Sequence, residues 1–363
     1  MQICFDLYSP YYWPQYEPVY NELVAQGHEC YILAYKSNQH EAPETDFFND
    51  LAQSLPVDFI EEKSALSYYQ QKQPDWIIFE NGSFSNTKDL NINTKKALLY
   101  HGIGVKACYY SPSLARYDIR FTEGHFRQLQ LKRMYPKANF VEVGFAKLDP
   151  LFNNKFSDKI DLDSLGLDSS KKTLLYAPAF YPSSIERMPR NWPSTLSDFN
   201  IIIKPHFFSL NHSKYKKQRQ LFDRWANFKN VYLVPSSNIS LLPYMEVADL
   251  LISEASSALF EFAALDKPII WLDFLKLRWS YCGPFKYRYL KRMDATINEY
   301  NNIAQHVASP RQLEEEVRHQ ISSPSQFTRQ RHAATSELIG QTDGNVSSRI
   351  VKALEEYKRK PTS

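Results

Sequence analysis

Short runs of consecutive apolar residues recur along this chain, and each is followed by a segment of helical character. Residues 2–8 read QICFDLY, 29–35 read ECYILAY, 75–80 read DWIIFE and 96–100 read KALLY. DIRFT (118–122) and NFVEVG (139–144) complete the series, with a basic helix between them. A strand with one wet face alternates apolar and polar residues, whereas a strand covered on both faces is apolar throughout. Doubly covered strands separated by helices predict a parallel sheet. EPVYNELVAQG (17–27) reads as one such helix, with Gly27 at its stop.

The series halts at KFSDKIDLDSLGLDSSKK (155–172), a polar, charged linker. It restarts with TLLYAP (173–178), NIIIKPH (200–206), NVYLVP (230–235), DLLISE (249–254) and KPIIWLD (267–273). The stretch from 296 to 358 reads as helical throughout. A chain of 363 residues exceeds one ordinary core and suits domains of about 150 residues. The expectation is therefore α/β, with two facing doubly wound, Rossmann-like domains. Their bounds are 1–154 and 173–340, and a helix with a basic tail follows over 341–363. No short-period repeat is present.

Several classes are disfavoured by composition. The net charge of +3 is nearly balanced, so no global field demands nucleic acid. No stretch approaches 18 apolar residues, so no transmembrane helix is expected. MQICFDLY lacks a basic start and is interrupted by Asp6, which argues against a signal peptide. Cys4, Cys30, Cys108 and Cys282 have neither metal-ligand nor redox spacing. Reduced thiols in a cytosolic protein are the simplest expectation.

In doubly wound sheets, ligands bind at the carboxyl ends of strands. The residues just after the apolar runs therefore matter most. LLYHGIGVK (98–106) presents His101 to a basic turn containing Gly102, Gly104 and Lys106. An imidazole there has the intrinsic pKa of a general base, and it equally suits a structural strand end. Lys204 and His206 share a side if their strand continues, and would suit a phosphate; a surface loop is the bland alternative. Ser256 and Ser257 open a helix whose free N–H groups can hold a phosphate or simply be capped. Glu261, one turn on, either takes a ribose or faces water. Asp149 follows another strand end. FLKLRWSYCGPFKYRYLKRM (274–293) mixes cations, Lys276, Arg278, Lys286 and Arg288 among them, with aromatic residues. That composition fits an anionic membrane surface, a polyanion, single-stranded nucleic acid or a packed loop.

Taken in order, these segments resemble the CDP-glycerol glycerophosphotransferase family of teichoic acid primases and polymerases over roughly residues 75–355. LLYHGIGVK resembles its His-Gly segment and VEVGFAKLD its Gly-aromatic-x-Arg-x-Asp segment. KTLLYAPAF resembles its Leu-Tyr-Ala-Pro-Thr segment, IIIKPH its Lys-x-His segment, and TDGNVSSRIV (342–351) a late Asp-Gly segment. DLLISEASSALFEFAALDKPIIWLDF resembles its strand, Ser-Ser turn and helix followed by Asp-Lys-Pro. Lys147, Ala179, Phe180, Phe207, Glu254 and Ala255 depart from the family pattern, which bears on the exact donor and acceptor.

The resemblance implies a glycosyltransferase-B fold and transfer of a polyol phosphate from a CDP-polyol to an acceptor hydroxyl, with release of CMP. By carry-over His101 is the candidate base. His206, with Lys204 nearby, serves the phosphate or leaving group. Ser256, Ser257, Gly102 and Asp149 belong to donor binding, and Glu261 to the ribose. No cofactor and no obligatory divalent ion are expected. The implied partners are a CDP-polyol and a lipid-linked or polymeric acceptor, with attachment to the cytoplasmic face of the membrane through 274–293. A sugar-nucleotide glycosyltransferase or epimerase of the same fold, and a silent binder of anionic polymers, are the alternatives.

Overall fold

In a computed structural model of the chain, residues 1–36, 42–81, 94–100, 102–103, 107–153, 159–292 and 295–359 are described. They form two parallel sheets. The first contains β1 (Gln2–Leu7), β2 (Glu29–Lys36), β3 (Val57–Glu61), β4 (Trp76–Phe79), β5 (Lys95–Leu98), β6 (Ile119–Thr122) and β7 (Phe140–Glu142), in the order β3-β2-β1-β4-β5-β6-β7. The second contains β8 (Thr173–Tyr176), β9 (Asn200–Ile203), β10 (Val231–Leu233), β11 (Leu250–Ser253), β12 (Ile269–Leu272) and β13 (Gln305–Val307), in the order β10-β9-β8-β11-β12-β13. The architecture is α/β, doubly wound in both sheets.

The apolar runs are strands because both their faces are covered. In β1, Ile3 and Phe5 pack on one side with Tyr16, Val19 and Leu23 of the helix Trp13–Ala25. Cys4 points to the other side, with Leu33, Ile77 and Phe79. In the second sheet Leu174, Ile201, Leu250 and Ile270 pack over Phe222 and Trp225 of the helix Lys216–Trp225. Each fully buried aliphatic side chain contributes about 1.5–3 kcal/mol through removal from water.

The chain divides into two units. One comprises Met1–Gly102, Tyr109–Lys155 and Ser336–Ser363, and the other Ile103–Cys108 and Phe156–Thr335. The last helix, Val346–Arg359, thus returns to the first unit, where Ile350, Val351 and Leu354 join the core beside Ile3 and Phe5.

Two strands depart from expectation. The region from 296 to 358 is not helical throughout, because β13 pairs with β12 through Ile270↔Gln305 and Leu272↔Val307. β3 likewise sits at a sheet edge. β9 holds the three isoleucines of its run and ends at Ile203, short of Lys204 and His206. Pro205 has no N–H to continue the ladder.

Candidate active site

Strand order in the second sheet reverses direction between β8 and β11, which pair as neighbours in the middle of the sheet. A crevice opens at such a reversal, outside the carboxyl ends of the strands. Lys204 and His206 follow the carboxyl end of β9, and Ser256 and Ser257 that of β11.

β11 ends in Ser253, whose hydroxyl donates to the Ala177 carbonyl at 2.7 Å and lies 3.3 Å from Ser256 Oγ. The loops after the two central strands are thereby tied together. Ser256 is the extended N-cap of the helix Ser257–Ala263 and makes no side-chain cap bond. Both serines are half-buried. Glu261 is only 1% exposed, so it is no solvated helix-face carboxylate.

Glu254 is the residue that sequence reasoning missed, having registered only as a departure from pattern. It is 1% exposed. Its Oε2 accepts from Ala179 N at 2.6 Å, and its Oε1 accepts from Ser184 N at 2.7 Å, from Ser183 Oγ at 3.3 Å and from the Ser184 hydroxyl. Burial pushes this carboxyl up, while the Ser184 and Ala179 donors pull it down. Glu254 therefore shapes the 179–184 loop that follows β8. The partners lie 70 or more positions away, so no local signal marks them.

His206 follows β9 but does not extend it, which removes the expected strand alternation with Lys204. It N-caps the helix Phe207–Asn211 instead, with Nδ1 accepting from Phe208 N at 3.1 Å. That bond requires an unprotonated Nδ1, so the ring proton of the neutral imidazole sits on Nε2. Phe180 and Phe208 flank the ring at 4.6 and 5.1 Å between centroids. Lys204 is half-buried, and its backbone N–H still pairs with Tyr176 O at 2.9 Å.

The Asp-Lys-Pro segment proves to be structural. Lys267 Nζ donates to the carbonyls of Met245 at 3.1 Å and Ala248 at 2.8 Å, closing the end of the helix Leu242–Val247. Asp266 Oδ1 accepts from the fully buried Arg331 at 2.8 Å.

The aromatic, cationic stretch is rooted in the same loop. Lys276 N donates to Ser183 O at 2.8 Å, and Arg278 N to the Tyr181 hydroxyl at 2.9 Å. The Arg278 guanidinium lies 4.0 Å from the Tyr181 ring centre. Beyond that root, Trp279 is 80% exposed, Tyr287 57% and Leu290 60%, and Lys276, Lys286 and Arg288 are exposed.

The first unit holds the remaining candidates. His101, Gly104 and Lys106 lie outside the described residues. An added Cβ on Gly102 would meet the Tyr109 hydroxyl at 2.5 Å, so close packing explains this glycine. Asp149 is 3% exposed and caps the last helix. Its Oδ1 accepts from Val346 N at 3.0 Å, and its Oδ2 from Ser347 N and Oγ, each at 2.7 Å. With both oxygens engaged, Asp149 is accounted for as a cap rather than a donor ligand. At the carboxyl ends of β1 and β4 stand two more buried carboxylates. Asp6 accepts from the Tyr35 hydroxyl at 2.6 Å and from Tyr69, and burial pushes it up to about 6. Glu80 is also raised by burial. Among the described residues, no group of three or more His, Cys, Asp and Glu could hold a metal ion.

Comparison with known proteins follows the same lines. Residues 109–356 match the family of CDP-glycerol:poly(glycerophosphate) glycerophosphotransferases. The chain is 24% identical over 151 residues to the teichoic acid poly(glycerol phosphate) polymerase of Bacillus spizizenii, covering 37% of this chain and 35% of that protein. It is 32% identical over 137 residues to the teichoic acid glycerol-phosphate primase of the same organism, covering 37% and 34%. The chain thus spans about a third of the length of these relatives. The structure of the wall teichoic acid polymerase TagF superposes with a TM-score of 0.68 at 16% identity, covering 100% of this chain and 90% of that one. At that identity the likeness establishes the shared fold.

Proposed function

The chain belongs to the CDP-glycerol:poly(glycerophosphate) glycerophosphotransferase family, and from that premise we propose that it transfers glycerol phosphate from CDP-glycerol to a hydroxyl of a teichoic-acid-like acceptor. The observation that carries this reading is the family match over residues 109–356.

The acceptor oxygen attacks the glycerol-bearing phosphorus of the donor. A new P–O bond forms there, the bridging P–O bond breaks, and CMP leaves. The hydroxyl proton passes to a base, for which His101 is the candidate by family resemblance. Charge on the phosphoryl group spreads in the transition state, so catalysis is mainly positioning and electrostatic stabilisation. His206 suits the leaving-group side, because its Nδ1 accepts from Phe208 N and an Nε2–H can donate to a phosphate oxygen. Lys204 supplies positive charge. Ser256, Ser257 and the first amides of their helix hold the diphosphate, supported by an N-cap whose side chain makes no cap bond. Glu261 takes the ribose. A lipid-linked or polymeric acceptor brings the chain to the cytoplasmic face of the membrane, where Trp279, Tyr287 and Leu290 with Lys276, Lys286 and Arg288 contact anionic lipid. No helix of the described residues is long and apolar enough to cross a membrane.

The test is to supply CDP-glycerol, CDP-ribitol and sugar nucleotides with a crude lipid-linked or polymeric acceptor, and to identify the released nucleotide by mass spectrometry. CMP released from CDP-glycerol is the expected result. A loss of about 10²–10⁴-fold should follow in His101→Ala and His206→Ala. Release of UDP or GDP would move the chain to the glycosyltransferases, and no release with any donor would remove the reading.

A further inference from the structure

Two arginines of the first unit are buried without adequate counter-charge. Arg120, in β6, is 1% exposed, and Arg127, in the first turn of the helix His125–Met134, is 4% exposed. The Nε and Nη1 groups of both are buried without a hydrogen-bond acceptor. The neighbouring carboxylate is Glu123, also buried, whose Oε2 lies 3.8 Å from Arg127 Nε. That distance is too long for a hydrogen bond. The rings of Tyr109 and Tyr110 lie 4.8 and 4.6 Å from the Arg127 guanidinium and offer it π faces. Thr122 shares the Arg120 face of its strand, and its hydroxyl is buried without a partner too. Gly124, the N-cap of the helix that carries Arg127, is packed against the backbone of Glu337 and Leu338, which leaves no room for a capping side chain.

Such an arrangement is costly. Burying an ion costs several kcal/mol unless it is paired and hydrogen-bonded, and an apolar residue of similar volume is often as stable or more so. Burial pulls Arg120 down to about 10, with Glu123 opposing the shift and Arg127 adding to it. Stability does not explain the pair, and buried donors left open beside Thr122, the carboxyl end of β6, read as a ligand site.

We propose that Arg120, Arg127 and Thr122 bind a phosphodiester in the first unit. Guanidinium groups offer planar sets of N–H donors that match phosphate oxygens, and a threonine hydroxyl adds another donor. Charge selects the ester: one carboxylate, Glu123, stands against the two guanidinium groups, and a diester's single negative charge meets that excess. A monoester carries about −1.5 to −2 at neutral pH. On the functional reading above, on which this assignment rests, the ligand is the phosphodiester flanking the acceptor hydroxyl. The site would then hold the growing end by its last linkage.

The experiment is isothermal titration of the full chain with bis-glycerol phosphodiester, inorganic phosphate and CDP-glycerol. Wild type, Arg120→Met and Arg127→Met are compared, with melting curves of each unliganded protein. Wild type should bind the diester better than phosphate. Each variant should lose about tenfold or more in diester affinity while binding CDP-glycerol as wild type does. Unliganded Arg120→Met should melt no lower than wild type. The proposal is overturned if wild type ignores the diester, or if the variants melt lower and bind it unchanged. It is equally overturned if they lose CDP-glycerol instead. Should the methionine variants fail to fold, Arg120→Lys and Arg127→Lys keep the charge but not the planar fork. Diester binding equal to wild type in both would then overturn it. A wild-type chain that binds the diester through these arginines and leaves CDP-glycerol untouched would keep the site and remove the functional reading.

Discussion

Asp6 shows what burial does to a single group. Its carboxyl accepts from the hydroxyls of Tyr35 and Tyr69 and is nevertheless pushed up from 3.8 to about 6, because loss of water outweighs the two bonds. A folded pKa above the unfolded one makes the protonated form the better fit. Its stabilising contribution is full below about pH 4 and is lost as pH rises through about 6. Asp6→Asn cannot ionise and keeps an oxygen for the tyrosines. The variant and wild type should therefore have nearly equal urea midpoints at pH 4. By pH 7 the variant should be ahead by on the order of 2–3 kcal/mol. Equal midpoints at both values would mean that Asp6 titrates normally. Nothing in MQICFDLY marks Asp6 as more than a break in an apolar run. The tyrosines that surround it come 29 and 63 positions later, and only the fold gathers them. His206 differs in this respect, because its place just after an apolar run made it a candidate directly. Its cap bond to Phe208 was invisible until the strand was seen to stop at Ile203.

At the scale of elements, legibility followed coverage. β1, β8 and β11 are buried on both faces and almost wholly apolar, and their runs alone locate them. β3 and β13 sit at sheet edges, where VDFIE and QHV carry too few apolar residues to announce a strand. The helix Val346–Arg359 was legible as a helix but not as part of the first unit, because the residues that receive it lie at the other end of the chain. Asp149 makes that long-range join. It holds the first amides of the helix by Val346 N, Ser347 N and the Ser347 hydroxyl. Removing an N-cap costs about 0.5–2 kcal/mol, and three buried donors left open add to it. Asp149→Ala should lower the melting temperature and raise hydrogen exchange in the amides of Val346 to Ile350, while leaving CDP-glycerol affinity near wild type. Intact protection with lost donor affinity would instead restore Asp149 to the donor site. The Asp-Lys-Pro segment teaches the same lesson. Read as part of a family pattern beside the Ser-Ser turn, it turns out to tie down a helix end through Lys267 and the buried Arg331 through Asp266.

For the molecule as a whole, the proposed function requires a chain without a spanning helix among its described residues to reach a lipid-linked or polymeric acceptor. The stretch from Lys276 to Lys291 has the means at its tip rather than its root. At the root, Arg278 is committed to Tyr181, and Lys276 N to Ser183 O. At the tip, Trp279 and Leu290 are exposed large apolar residues on the same unit as exposed Lys286 and Arg288. Apolar anchors enter the headgroup region, and each nearby cation contributes about 1 kcal/mol on an anionic surface. The chain should therefore sediment with vesicles containing phosphatidylglycerol and stay in solution with phosphatidylcholine alone. Binding should weaken as salt shortens the Debye length. The double variant Lys286→Glu, Arg288→Glu should weaken binding by more than about tenfold, since each change removes one attraction and adds one repulsion. Trp279→Ser should weaken it at every salt concentration, because its contribution is burial rather than charge. Neither substitution changes His206, Lys204 or the two serines, so turnover with a water-soluble acceptor should survive them. Vesicle binding that survives as well would show that this surface is not what meets the lipid.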